Sequence, residues 1–412
     1  MKDVMRIACI VNQFPPNVTA GLGRYVELIT PYLARDHDLT VHTPNDGALP
    51  VDERVDGVAV HRPRVRLPGG GRRLNRTRRA EFLLLTLRVV ASNWRYVRRL
   101  RRGPRPDLVA VHDSTNFLAG LLCHYLLRLP VVFHVHTTEY GVAPQRSITD
   151  PFNLFARLER WLARVARRVV VATPEVREQL LAAGWRRTPI DVVPLGGTYE
   201  PALADPAFDR AALRAEAAEL RRSLGLAERD RVLLFVGRIE RQKGVYQLLE
   251  AMREVVKAVP GARLVIAGEG DETGVRRITE ATGLRGKVVC SGRFVPAREL
   301  MAYYELAEVC VFPSLFEPFG LVATEAMALG RATVLGDGFS RIFIGPDPAR
   351  PAVRFVRASE PADIARGVVE VMSDAGLRRA LARRGERLVR EGLSWERAAA
   401  ETLAVYRASL KP

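Results

Sequence analysis

The chain has 412 residues, enough for two or three domains, and a hydrophobic content of 48% excludes a disordered protein. Its longest apolar runs, such as Leu118–Leu122 and Leu129–Val132, fall far short of the ~18 residues that span a bilayer. The formal charge of +17 is uneven: between Arg62 and Arg105 stand fifteen arginines and one acid, Glu81, a net +14 within 44 residues, while the rest is nearly neutral. Such a block points to an anionic partner for part of the N-terminal half. The opening Met1–Arg6 lacks the long apolar segment of a signal peptide, so a cytoplasmic location is expected, with the inner membrane face as a peripheral alternative. Cys9, Cys123, Cys290 and Cys310 are scattered in apolar stretches and read as small buried thiols rather than a disulfide or zinc framework.

In chain order, Arg6–Asn12 is a buried-strand pattern, followed by a Pro/Gly loop and a helix over Tyr25–Arg35. Strands are expected at Asp38–Thr43, Val58–His61, Leu108–His112, Val131–His136, Val169–Thr173 and Asp191–Pro194, with a helix at Phe117–Leu127. Alternating β and α signals predict a parallel, doubly wound sheet. Residues 200–230 read as a helical connection. The alternation then restarts at Val232–Val236 and runs through strands at Arg263–Ala267, Val288–Ser291, Val309–Pro313 and Ala332–Leu335. Helices over 245–258, 272–283, 297–306 and 321–329 separate them, and Leu377–Leu410 is expected to be helical throughout.

Four loops follow strands or open helices, where doubly wound sheets bind ligands. Ala20–Arg24 brings Gly21 and Gly23 close to a helix start, which suits a phosphate or a plain turn. Gly237–Gly244 places Arg238 and Lys243 just past a strand; a guanidinium fork and an ammonium suit a diphosphate, and a solvated loop is the alternative. In Glu317–Glu325, Pro318 and Gly320 put Glu317 in a loop and Glu325 on the first or second helical turn. The helix N-terminus there favours phosphate, and a carboxylate can accept from vicinal hydroxyls; a pair of surface acids is the alternative. In Phe133–Glu139, His134 and His136 share one strand face. They read as substrate hydrogen-bonders, structural histidines or, with His112, metal ligands; no metal site is expected. Asp36-His37-Asp38 lies between helix and strand and reads as a cap and linker.

Taken together these motifs resemble glycosyltransferase family 4, the retaining enzymes of the GT-B fold, over nearly the whole chain. Ala20–Tyr25 resembles the donor-phosphate loop, with Ala20 where glycine is usual. Val131–Glu139 resembles the strand whose active-site histidine falls on His136, and Phe235–Gly244 the phosphate-binding loop. Gly292–Phe294 and Glu299–Gly330 are similar to the family's C-terminal half, including the E-x7-E of Glu317 and Glu325. Two departures stand out: Gly336–Ile342 lacks the glutamate common there, and Leu195-Gly196 replaces the usual N-G.

The resemblance implies an α/β, GT-B architecture of two doubly wound Rossmann-like domains facing across a cleft. Residues 1–197 would be the acceptor side and 198–393 the nucleotide-sugar side, with a helix over 394–412 returning to the N-terminal domain. It implies a nucleotide-diphosphate-sugar co-substrate, no other cofactor and no metal. Arg238 and Lys243 would hold the diphosphate, Glu325 the ribose, Glu317 and His136 the sugar, and Arg293 with Phe294 the base. Gly21, Gly23, Phe319, Gly320 and Leu321 would complete the donor site. A sugar- or nucleotide-binding protein without catalysis is the competing class.

Within the basic segment, Leu83, Leu87, Val90, Trp94 and Val97 are spaced 4, 3, 4 and 3, one apolar stripe beside several arginines. The stripe either packs on the sheet while arginines snorkel, or docks on an anionic membrane. Nucleic acid is a lesser candidate, since no interleaved aromatic motif is present.

Overall fold

The computed structural model describes residues 4–18, 21–45, 48–65, 78–136 and 154–411, with side chains omitted for 78–85 and 154–155. Ala20, Thr137–Glu139 and part of the basic segment lie outside that range. The chain divides into two compact units, Met1–Pro194 with Trp395–Pro412, and Leu195–Ser394.

The first unit opens with β1 (Arg6–Ile10), α1 (Gly21–Leu33), β2 (Asp38–His42), β3 (Asp52–Val55) and β4 (Val58–His61). The long α2 (Arg78–Arg102) leads to β5 (Leu108–His112), α3 (Phe117–Tyr125), β6 (Val131–Val135), α4 (Leu154–Val165), β7 (Arg168–Val171), α5 (Pro174–Ala182) and β8 (Ile190–Val192). The strand order is β3-β4-β2-β1-β5-β6-β7-β8, parallel except for β3 against β4. Strands β5 and β6 are buried at every position, as a sheet covered on both faces requires.

The second unit contains α6 (Glu200–Ala204), α7 (Arg210–Ser223), β9 (Arg231–Val236), α8 (Val245–Ala258), β10 (Ala262–Ala267), α9 (Glu272–Ala281) and β11 (Val288–Cys290). It continues with α10 (Ala297–Leu306), β12 (Val309–Phe312), α11 (Leu321–Ala328), β13 (Ala332–Gly336), β14 (Arg354–Val356), α12 (Pro361–Ser373) and α13 (Ala375–Gly392). Its six strands are all parallel, in the order β11-β10-β9-β12-β13-β14. The final helix, α14 (Trp395–Leu410), packs against α1 and β6 of the first unit.

Two expectations are corrected. Leu377–Leu410 is not one helix: α13 ends at Gly392 and α14 begins at Trp395, and this break carries the chain from one unit to the other. The stripe on α2 does not face one way. Val97 is buried with Tyr96 and Leu100, whereas Leu87, Val90 and Trp94 are exposed. Asn93 sets this rotation: its side-chain oxygen accepts from the Ala119 backbone N–H at 2.8 Å, and its amide nitrogen donates to the Val89 carbonyl at 2.9 Å. With Asn93 turned inward, Trp94 faces out.

Candidate active site

In a doubly wound sheet, the strand order reverses at one point, and the loops leaving the C-terminal ends there diverge to leave a crevice. In the second unit the reversal lies between β9 and β12. The loop after β9 carries Gly237 to Gly244, and the loop after β12 carries Glu317. The two are stitched together: Leu315 N–H donates to the Gln242 carbonyl at 2.9 Å, and the Gln242 side-chain amide donates to the Phe316 carbonyl at 3.3 Å. Gly244 has φ of +69°, and a Cβ there would land on the Pro313 carbonyl oxygen, so only glycine lets the loops approach this closely.

That approach brings Lys243 Nζ to 2.6 Å from Glu317 Oε2, with both side chains largely buried. Arg238, the other expected diphosphate ligand, is mostly exposed and pairs with Glu240 at 2.9 Å. The Glu317 backbone N–H donates to the Gly338 carbonyl at 3.0 Å, so the loop after β13 supports it from behind. Gly320, at φ +94°, turns the chain into α11, whose N-terminus has no side-chain cap. The first-turn amides, beginning at Leu321, therefore add partial positive charge to this end of the unit. The Phe319 ring is buried against Phe343, 5.6 Å between centroids, so its side chain belongs to the core rather than to a binding surface.

Glu325 is buried one turn into α11 and accepts from the Tyr304 hydroxyl at 2.7 Å. Burial, and then the neighbouring Glu325 carboxylate, hold the Tyr304 hydroxyl protonated, well above its ordinary range. Tyr304, on α10, carries no motif signal, and nothing in the linear sequence singles it out. Arg293 makes a two-pronged ion pair with Glu299, one arm at 3.0 Å, and Phe294 beside it is exposed.

In the first unit the reversal lies between β1 and β5. The glycines expected in a loop sit inside the first turn of α1, which begins at Gly21. Gly23 packs closely on Gln13 and Val18 of the loop after β1, with no room for a side chain. Asn12 in that loop donates to the Thr115 hydroxyl beyond β5, tying the two switch-point loops together.

His112, His134 and His136 cluster at the ends of β5 and β6. His112 Nδ1 and His136 Nε2 are 3.0 Å apart, and His134 Nε2 is 3.0 Å from the Tyr406 hydroxyl of α14. Burial lowers the His136 pKa to about 4 and holds the other two well below their ordinary range, so all three are neutral at pH 7. A neutral ring can donate from one nitrogen and accept at the other, and the His112–His136 contact uses one of each. The ligand atoms of the three lie within 4.8 Å of one another. However, His112 and His134 stack face to face, 4.2 Å between centroids and 21° from parallel. An ion in the plane of one ring therefore lies out of the plane of the other. Tyr25 covers the cluster, 4.8 Å from the His136 ring, and Trp395 packs on Tyr25 at 5.8 Å. Tyr406 is the neighbour that sequence reading did not single out. Asp36-His37-Asp38 is a linker: His37 Nδ1 accepts from the Met5 backbone at 3.1 Å, and Asp38 opens β2.

Two doubly wound sheets, each with a glycine packed closely at its switch point, are the architecture of the GT-B class. Residues 20–196 match the family described as the glycosyl transferase 4-like domain, and residues 216–388 match glycosyl transferases group 1. The chain is 29% identical over 409 residues to an uncharacterized glycosyltransferase of Methanocaldococcus jannaschii, covering 99% of both proteins. It is 30% identical over 319 residues to a D-inositol 3-phosphate glycosyltransferase of Nocardia farcinica, covering 74% of this chain and 67% of the relative. The Anabaena protein HepE, solved in complex with UDP and glucose, superimposes with a TM-score of 0.71 at 17% identity, covering 98% of this chain and 100% of HepE. The chain belongs to the group 1, 4-like glycosyltransferases of the GT-B fold, and it is a glycosyltransferase.

Proposed function

We propose that this glycosyltransferase draws its sugar from a nucleoside-diphosphate-sugar donor and passes it to an acceptor hydroxyl with retention at the anomeric carbon. The Lys243–Glu317 pair carries this proposal: an ammonium and a carboxylate 2.6 Å apart at a switch point, beside an uncapped helix N-terminus. The ammonium and the helix suit a diphosphate, and the carboxylate suits sugar hydroxyls. Glu325, held by Tyr304, takes the ribose hydroxyls. Arg238 adds a second cation, Arg293 and Phe294 border the base, and His136 donates a hydrogen bond to the transferring sugar.

In the reaction, the bond between the anomeric carbon and the phosphate oxygen breaks, and its electron pair goes to the phosphate. The acceptor oxygen bonds to the same face of that carbon, and its proton passes to the leaving phosphate. No protein base is assigned. Lys243, Arg238 and the α11 N-terminus stabilise the growing phosphate charge, and loss of one such partner slows related chemistry by ~10²–10³. This charge set does the work of a divalent cation, so full turnover in excess EDTA is expected; loss that Mg²⁺ restores would contradict it.

The acceptor we favour is a lipid-linked or envelope glycan, on the strength of the basic outward face of α2. A soluble polyol is the second candidate, supported by the inositol phosphate acceptor in the name of the Nocardia relative.

The first test is thermal stabilisation by a panel of nucleoside diphosphates and their sugars, in wild type and Glu325→Ala. One nucleotide should stabilise the wild type above the others, and Glu325→Ala should lose that shift. If no nucleotide stabilises it, the donor proposal fails. Donor binding without transfer to any acceptor or to water would leave a nucleotide-sugar-binding protein.

A further inference from the structure

Helix α2 contains eight arginines and one glutamate. It buries Ser92, Asn93, Tyr96, Val97 and Leu100 and turns its opposite face to solvent. That outer face carries Leu87 (45% exposed), Val90 (41%) and Trp94 (53%), spaced three and four residues apart so that they form one ridge. Arg95, Arg98 and Arg102 run alongside it, all exposed, and no carboxylate among the described residues pairs with them. The next helices in the layer extend the chemistry. α2 packs on α3, and α3 packs on α4. On α4, Trp161 is 47% exposed with Arg164 exposed on the following turn, and the Trp161 indole donates to the Tyr125 hydroxyl at 3.3 Å.

Exposed apolar side chains in a ridge are unfavourable in water, and unpaired arginines beside them seek anionic charge. A surface that offers both at once is an anionic bilayer: acyl chains and glycerol for the ridge, headgroup phosphates for the arginines. Tryptophan settles at the same depth, where an amphipathic ring is half solvated. A nucleic acid backbone would satisfy the arginines and leave Leu87, Val90 and Trp94 in water. No helix among the described residues is long and apolar enough to cross a membrane. We infer that the outward face of α2, with Trp161 beside it, docks this protein on an anionic lipid surface, with Trp94 inserted at the interface. This holds whatever the donor is.

The test is sedimentation of the full chain with vesicles of phosphatidylcholine, and with vesicles of equal parts phosphatidylcholine and phosphatidylglycerol. Binding is expected only to the second, with release in ~1 M NaCl, where the Debye length falls to about 3 Å. Each arginine near an anionic leaflet contributes about a five-fold gain in partitioning, so R95A/R98A/R102A should bind about 100-fold more weakly. Trp94→Ser keeps the charge and should lose roughly ten-fold, together with part of the blue shift of tryptophan emission on vesicle addition, the rest coming from Trp161. All four residues are exposed, so circular dichroism and melting temperature should match wild type. Equal binding to both vesicle types, or undiminished binding by either variant, overturns the inference. So does equally tight binding to duplex DNA that Trp94→Ser leaves untouched, because the face would then be a general polyanion site.

Discussion

Replacing Glu317 by glutamine separates the two duties assigned to the loop after β12. The carboxylate holds Lys243 at 2.6 Å in a largely buried setting. Charge-assisted hydrogen bonds contribute about 1.5–3 kcal/mol and neutral ones about 0.5–1.5 kcal/mol. In Glu317→Gln, Lys243 is therefore released by ~1–1.5 kcal/mol, and a negative charge beside the diphosphate disappears. Because 1.4 kcal/mol is ten-fold, the nucleoside diphosphate should bind roughly five- to twelve-fold tighter in titration calorimetry. Sugar transfer should fall ~10²-fold or more, since the group proposed to orient the donor sugar has lost its charge. The partner substitution moves the other way. Lys243→Met removes the charged hydrogen bond proposed to the diphosphate, and the Kd should rise about 10- to 100-fold. The double variant should resemble Lys243→Met, because without the ammonium there is nothing for Glu317 to restrain. If Glu317→Gln instead weakens nucleotide binding ten-fold, the pair is not in competition with the diphosphate, and the role given to Lys243 is wrong.

Tyr304→Phe deletes the buried hydroxyl that donates to Glu325; a nucleotide Kd higher by about ten-fold is expected, from a lost hydrogen bond to a charged group, and unchanged affinity would remove Tyr304 from the site. Gly244→Ala puts a Cβ onto the Pro313 carbonyl at a positive φ, and a loss of ~3 kcal/mol or more should lower the melting temperature by roughly 6–12 °C in a unit of this size; a melting curve like wild type would contradict the close loop contact. Acid should destabilise the first unit. His112, His134 and His136 are held neutral mainly by burial, while the unfolded chain takes up protons near pH 6.5, so stability is complete above about 6.5 and is lost as pH falls towards 4. Each imbalanced imidazole sets a slope of up to ~1.4 kcal/mol per pH unit, and melting temperatures that stay flat over this window would show that the cluster titrates normally.

What the sequence made legible follows from physical uniformity. Runs such as Leu108–Val111 and Val309–Phe312 are apolar at every position because helices cover both sheet faces, and such runs announce themselves. The glycines at 237, 244 and 320 and the acids at 317 and 325 were also visible, since loop contacts and helix starts leave fixed spacings. β3 was missed because Asp52–Val55 is a charged edge strand with no apolar run, the composition that keeps an edge from pairing with another molecule. β14 was missed because three residues carry too little pattern. The rotation of α2 was misread because Val97 and Trp94 are both apolar, and only the bond from Asn93 to α3 decides which of them faces the sheet. Tyr304 was invisible because its role depends on a partner 21 residues away, on a different helix.

The charged groups proposed for the donor site share one property that bears on how a donor would be taken up. Lys243 rests on Glu317, Arg238 on Glu240 and Arg293 on Glu299, while Glu325 is held by Tyr304. None of these groups waits as a bare charge, which for the largely buried Lys243, Glu317 and Glu325 would be unfavourable. In the proposed site, diphosphate binding would be an exchange: the ammonium and guanidinium groups would leave carboxylates for phosphate oxygens, and the carboxylates would become free to accept from sugar hydroxyls. Such an exchange yields little net Coulomb energy for a bare nucleotide, because one anion replaces another. It yields more for the complete nucleotide sugar, whose hydroxyls satisfy the released Glu317. A preference for the nucleotide sugar over its nucleoside diphosphate, lost in Glu317→Gln, is the signature this arrangement should leave in calorimetry.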